Sequence, residues 1–282
     1  MKLAGSNYGA PKLPLDTVLE HCVQLGYLGA EIAVQPEYPT AVDKIDAAER
    51  AHIVQTFQRA GLECSLICHY GGVAKGPEGE AALRAAIDLS TELASIGPHG
   101  TPPPVTTTAL GPPEVWEAEK EHILESAGEL ARYAEAHGVP FSMKAHAFSA
   151  VDRPHKLIWL IEQIDSPAFG LNVDMSHFEV NGLTIRQAIP ALVPYANHVH
   201  VKSSRGRYPD CQYALPGEGE TDFVSLFRTY KDGGYDGYLS VEVSVHVQKR
   251  PDYDPLGALT TCFAVLSQAL DEAGISGYAR SR

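Results

Sequence analysis

Residues 169–177 read FGLNVDMSH, residues 198–203 read HVHVKS, and residues 238–245 read YLSVEVSV. Each is a short, β-branched-rich apolar run that carries charged or imidazole groups at or near its C-terminal end. Runs of this length are buried strands rather than helices, and strands apolar on both faces belong to parallel sheets covered by helices. The segments between and after them fit amphipathic helices at Thr184–Leu192, Asp222–Asp232 and Pro255–Ala273. Working toward the N-terminus, a strand at Phe141–Ala147 precedes a helix at His155–Ile164. The first half repeats the plan. Strands fit Lys2–Ser6, Gly29–Val34, Leu62–Tyr70 and Val105–Thr108, and helices fit the stretch from Leu15 to Gly26, Asp46–Ala60, Gly79–Ser95 and Pro113–His137. Eight strand–helix units in 282 residues predict an α/β fold, a closed (β/α)8 TIM barrel forming a single domain over 1–282.

Composition narrows the function. Hydrophobic residues make up 44% and charged residues 20%, so the chain folds around a core. No apolar run reaches the roughly 20 residues of a membrane span, which predicts no membrane partner. The formal charge of −13 repels phosphate backbones, and no basic cluster offsets it, which predicts no nucleic-acid partner. Five cysteines in no paired spacing read as reduced thiols, and a start without a signal peptide's apolar centre predicts a cytoplasmic protein.

In a (β/α)8 barrel the active site lies at the C-terminal ends of the strands. Those ends carry Glu31, His69, Lys144, His146, Asp174, His177, His200, Lys202 and Glu242. His198, His200 and Lys202 recur at period two and share one face of their strand. Glu242 alternates with Leu239, Val241, Val243 and Val245, so it faces the barrel interior and needs a cation. Asp174 reads either as an interior ligand or as the cap of the next helix. His69 precedes Gly71 and Gly72, which let backbone approach a ligand, and reads as a substrate contact or a structural histidine. Arg205 and Arg207 fit an anion clamp or a solvated loop.

With GYLGAEI around Glu31, FGLNVDMSH, HVHVKSS, PGEGETDF at 216–223 and GYDGYLSVEVSV in this order, the chain resembles the xylose isomerase-like barrels, the sugar isomerase/epimerase group that also holds endonuclease IV. The resemblance implies a divalent ion (Mn, Mg, Co or Zn) on Asp174, His200 and Glu242, sugar contact by His177, and acid/base work by Glu242. Glu31, His69, His146 and Arg205 are read as substrate-binding. The strand FSMKAHAF carries Lys144 where the family has its first metal-ligating Glu. Three readings follow. The ion stays on three ligands with His146 or water added. The ammonium replaces the ion, and Lys144 acts as acid, base or amine. Or Lys144 is carbamylated.

The chemistry implied is proton removal next to a carbonyl of a sugar, polyol or keto-sugar through an enediolate, leading to isomerisation, epimerisation or β-elimination. Lys144 makes two-base epimerisation less natural and a lyase or dehydratase more so. The other classes are a degenerate sugar-binding barrel without turnover and, against the charge, a nuclease. The partner expected is a small carbohydrate-like molecule. Relatives are often dimers or tetramers, so a homo-oligomer accords with the resemblance.

Overall fold

The computed structural model describes residues 1–280. Strands β1 (Lys2–Ser6), β2 (Gly29–Ala33), β3 (Glu63–Cys68), β4 (Val105–Thr107), β5 (Phe141–Lys144), β6 (Phe169–Val173), β7 (Ala196–Val201) and β10 (Tyr238–Val241) pair in parallel and close into a barrel. β1 pairs with both β2 and β10, which removes any sheet edge. Between β7 and β10 the chain makes a short antiparallel hairpin, β8 (Ser203–Arg205) with β9 (Gln212–Ala214).

The helices outside the barrel are α1 (Leu15–Leu25), α2 (Ala47–Ala60), α3 (Pro77–Glu92), α4 (Trp116–Ala136), α5 (Pro154–Ile164), α8 (Phe223–Asp232) and α10 (Pro255–Glu272), with shorter α6 (Met175–Val180), α7 (Ile185–Ala188) and α9 (Val245–Gln248). Their ends follow local chemistry. The Asp46 carboxylate accepts the Ala48 and Glu49 N–H groups at the start of α2. Gly26, at φ 103°, closes α1 in a left-handed conformation that suits glycine. The apolar stripes of the helices, such as Ile123, Ala127, Leu130 and Ala134 of α4, bury against the strands. All five cysteines are buried and unpaired. Among the described residues no helix is long and apolar enough to cross a membrane.

The boundaries differ from the periodicity where a strand leaves the barrel. The alternation YLSVEVSV predicts a strand to Val245, but β10 stops at Val241. The Ser244 hydroxyl accepts the His246 N–H and starts α9 instead. The predicted helix over 184–192 shrinks to α7, where a Thr184–Gln187 capping box starts it and Pro190 follows shortly after its end. The α6 helix and the β8–β9 hairpin carry too few apolar positions for a periodic signal.

Hydrogen bonds cross the barrel rather than leaving a purely apolar interior. Ser65 meets Ser240 at 3.0 Å, Asn172 donates to Thr106 at 3.2 Å, and Ser6 donates to Glu31 at 3.1 Å. This polar interior is the floor on which the strand-end groups stand.

Candidate active site

Four neighbouring strands end in charged residues of alternating sign. Lys144 closes β5, Asp174 follows β6, Lys202 follows β7 and Glu242 follows β10; in the barrel these strands stand side by side. The Lys144 Nζ lies 3.0 Å from Asp174 Oδ2 and is hydrogen-bonded to Glu242 Oε2. The Lys202 Nζ lies 2.5 Å from Glu242 Oε2 and is hydrogen-bonded to Asp174 Oδ2. Two ammoniums and two carboxylate oxygens thus form a square of alternating charge. Lys144 is 0% exposed and Lys202 3%, so water screens none of these contacts.

The remaining oxygens are also held. Asp174 Oδ1 accepts the Ser176 N–H at 3.1 Å and its hydroxyl at 2.6 Å, so Asp174 caps α6 as well as pairing with the lysines. Glu242 Oε1 accepts from the Tyr70 hydroxyl at 3.3 Å. Burial alone would raise both carboxyls. The ammoniums outweigh it and hold Asp174 below, and Glu242 well below, the usual carboxylate range. Burial lowers Lys144, but Glu242 and Asp174 outweigh it and keep the ammonium protonated.

Below the square, His200 Nε2 donates to Glu31 Oε2 at 2.6 Å, which leaves Nδ1 to accept from Lys144 Nζ at 2.9 Å. Burial lowers His200 and the Glu31 carboxylate raises it, for a net rise. Above the square, His177 Nε2 lies 3.1 Å from Lys202 Nζ, and its Nδ1 lies 2.6 Å from the Tyr213 hydroxyl. His146 packs on His177 with ring centroids 4.2 Å apart. Burial, then the Lys202 and Lys144 charges, push His146 down to about 4, and His177 falls well below its usual value for related reasons. Both rings are neutral near pH 7.

A cleft of about 350 Å³ opens above this network, lined by Tyr8, Tyr70, Leu110, His146, Phe148 and Glu242 among others. Among the described residues Glu242 is the one carboxylate on its wall. His146 Nδ1 accepts the Phe148 N–H at 3.2 Å, so its Nε2 carries the proton. A second hollow of about 270 Å³, lined by Lys2, Pro104, His198 and Tyr238, lies at the opposite end of the barrel and holds none of the strand-end square.

The structure brings together Lys144, Asp174, His200 and Glu242, with His146 and His177 beside them. It separates the rest. Glu31 is fully enclosed and bonded to Ser6 and His200, so it positions His200 rather than facing the cleft. His69 is buried with Nδ1 unpartnered, outside the cleft lining, and Arg205 is exposed on β8. Gly72 serves packing: a Cβ there would meet Leu83 Cδ1 at 2.3 Å. Tyr8, Tyr70 and Tyr213 had no sequence signal beyond following a strand or lying in a loop. Lys202 had one, its period-two spacing from His200, but its carboxylate partners did not follow from that.

Among the described residues, two buried groups hold ligand atoms within 4.8 Å of one another, Asp174–His200–Glu242 and Glu31–His198–His200. The first does not fit the divalent ion that the resemblance implies. Its carboxylates already face two ammoniums, which cancel their charge, and Lys144 faces His200 Nδ1. In the second, the Glu31–His200 hydrogen bond occupies one oxygen and one nitrogen.

The chain is similar to fructoselysine 3-epimerase of Shigella flexneri, 23% identical over 273 residues, covering 89% of this chain and 93% of that protein. It is also similar to inosose dehydratase of Clostridium perfringens, 23% identical over 141 residues and 45% of this chain. The match spans about half the length (48%) of that dehydratase. Among solved structures, a Mycobacterium smegmatis xylose isomerase-like TIM barrel protein in complex with magnesium superposes with a TM-score of 0.70 at 18% identity, covering 96% of this chain and 97% of that one, a likeness of fold. The family sequence model described as "Xylose isomerase-like TIM barrel" matches residues 19–259, and the chain belongs to that family.

Proposed function

We propose that the cleft binds a keto-sugar or keto-polyol and that Glu242 removes the proton next to its carbonyl, leading to loss of the β-hydroxyl as water. The observation that carries this reading is that Glu242 is, among the described residues, the one carboxylate on the cleft wall, while the end of β5 beside it holds the Lys144 ammonium. A single carboxylate suits same-face chemistry. Glu242 takes the α-proton, the enolate forms, and Glu242 returns the proton to the departing hydroxide; substrate becomes product plus water. The His146 Nε2–H donates to a substrate oxygen, and the buried ammoniums supply positive charge beneath the developing enolate. Relatives that include a dehydratase and an epimerase support chemistry next to a carbonyl.

A second reading is favoured by the nearly full-length similarity to an epimerase. Here Glu242 passes the proton on the same face to the neighbouring carbon of the enediolate, and the product is an isomer. Incubation with a panel of keto-sugars and keto-inositols in D2O separates the two. A product lighter by one water supports the lyase, and a deuterated isomer supports the second reading. Both products should vanish in Glu242→Gln. Saturable sugar binding with neither product would identify a binding barrel.

A further inference from the structure

We infer that Lys144 and Lys202 together occupy, in charge and in place, the position of a divalent cation, so that the Asp174–His200–Glu242 cluster of this chain takes no metal ion. This goes beyond the proposed reaction and does not depend on it, because it concerns binding and not turnover.

Each ammonium touches both carboxylates, and the contacts fall on the same two oxygens, Asp174 Oδ2 and Glu242 Oε2. Those are the oxygens free to turn toward an ion, because Asp174 Oδ1 is held by Ser176 and Glu242 Oε1 by Tyr70. The charges of the square sum to zero, with two ammoniums against two carboxylates, and the Glu31 carboxylate faces His200 below it. Within the square, a divalent ion would therefore find no uncompensated negative charge. It would also have to drive two fully buried ammoniums from their partners into walls that expose 0% and 3% of those residues. Lys144 donates to Glu242, Asp174 and His200 Nδ1, and Lys202 donates to Glu242 and Asp174. Lysine donates hydrogens and accepts none, so both ammoniums are held by carboxylates as they stand.

The pairing has a consequence that Lys144 alone would not have. Exchanging Lys144 for glutamate restores the family's four ligands, but Lys202 still bridges Asp174 and Glu242. Both lysines must change before the cluster opens.

The test is calorimetric titration with Mn²⁺ of the native protein, of Asp174→Asn, of Lys144→Glu and of the double variant Lys144→Glu/Lys202→Gln. The native protein should show no saturable Mn²⁺ site, or only one that Asp174→Asn leaves intact. The double variant should gain a site at least about ten-fold tighter than any in the native protein, and tighter than that of Lys144→Glu. Its melting temperature should rise on adding Mn²⁺ where the native one does not. A native one-to-one site abolished by Asp174→Asn would overturn the inference. So would a folded double variant whose affinity is unchanged. Should the double variant fail to fold, the native protein against Asp174→Asn decides the question alone.

Discussion

The two halves of the barrel fill its interior differently. The first four strands contribute Ser6, Ser65, Thr106 and one charged group, Glu31, and the loops after them bring Tyr8, Tyr70 and Leu110 to the cleft. The last four contribute Lys144, Asp174, Lys202 and Glu242, alternating in sign from strand to strand. One wall of the site is therefore hydroxyl and aromatic, and the other is a closed set of charges. Adjacency explains the division. Parallel neighbours stand about 4.8 Å apart, so side chains from consecutive strand ends reach one another, and opposite signs on neighbours satisfy every pair at once. Charges shared evenly around the barrel would have faced hydroxyls and left part of the set uncompensated.

The largest effect should come from breaking the charged half. Lys144→Met or Lys202→Met leaves two buried carboxylates with one cation, and each should cost about 3–5 kcal/mol of unfolding free energy. Urea denaturation at pH 7 checks this. Tyr70→Phe, on the other wall, removes a hydroxyl contact and should cost about 1 kcal/mol. Comparable losses on both sides would dissolve the distinction between the walls. The next effect concerns turnover. Glu242→Gln should lower kcat at least ~10²-fold on whichever keto-sugar is turned over, because it removes the one carboxylate on the cleft wall.

Acid separates the histidines from the carboxylates. His146 falls from an ordinary value near 6.5 to about 4 in the folded chain. A lowered histidine is stabilising when neutral, so its contribution is complete above about pH 6.5 and is lost as pH falls toward 4. His177 and His198 are lowered in the same direction. Asp174 and Glu242 are lowered carboxyls, whose contribution is complete above about pH 4 and is lost only below it. His200 runs the other way, since its raised value stabilises below about pH 6.5 and fades as pH rises through the folded value. Stability should therefore begin to fall between pH 6.5 and 4, before the carboxylates of the square protonate. His146→Asn should remove about 2–3 kcal/mol of that fall, read by urea denaturation at pH 7, 5.5 and 4.5. A native curve flat down to pH 4 would mean that the imidazoles meet water freely.

The charged half was also the more legible half. Period two in short apolar strands places Lys144, His200 and Glu242 inside the barrel, and the fold rule places them at one mouth. The same pattern leaves partners open. That Lys202 reaches Asp174 and Glu242 depends on strand tilt and on the register shift between Leu171 and Asn172 where β6 meets β7, which alternation does not encode. Glu31 read as a strand-end group for the same reason, yet its side chain lies below the mouth, bonded to His200. The aromatic wall was nearly silent, since a tyrosine after a strand looks the same whether its hydroxyl crosses the barrel, as in Tyr70, or not. The strand expected over 238–245 ends at Val241, because Ser244, which starts a helical turn, fits an alternating strand equally well.

The smallest expected effect lies on that silent wall. Leu110 sits on the cleft with 38% of its surface exposed, beside Tyr8 and Tyr70. A half-exposed leucine contributes little to folding, and Leu110→Ala should change stability by no more than ~0.5 kcal/mol. Its remaining apolar surface is covered only when a ligand sits in the cleft. Losing a few tens of Å² of such contact, at about 25 cal/mol per Å², should raise KM roughly two- to five-fold. The same contact exists before and after proton removal, so kcat should stay unchanged. Steady-state kinetics on the substrate found in the D2O screen reads both constants. If kcat falls as far as in Glu242→Gln while the fold holds, the aromatic wall takes part in the proton transfer, and the division of labour between the two halves fails.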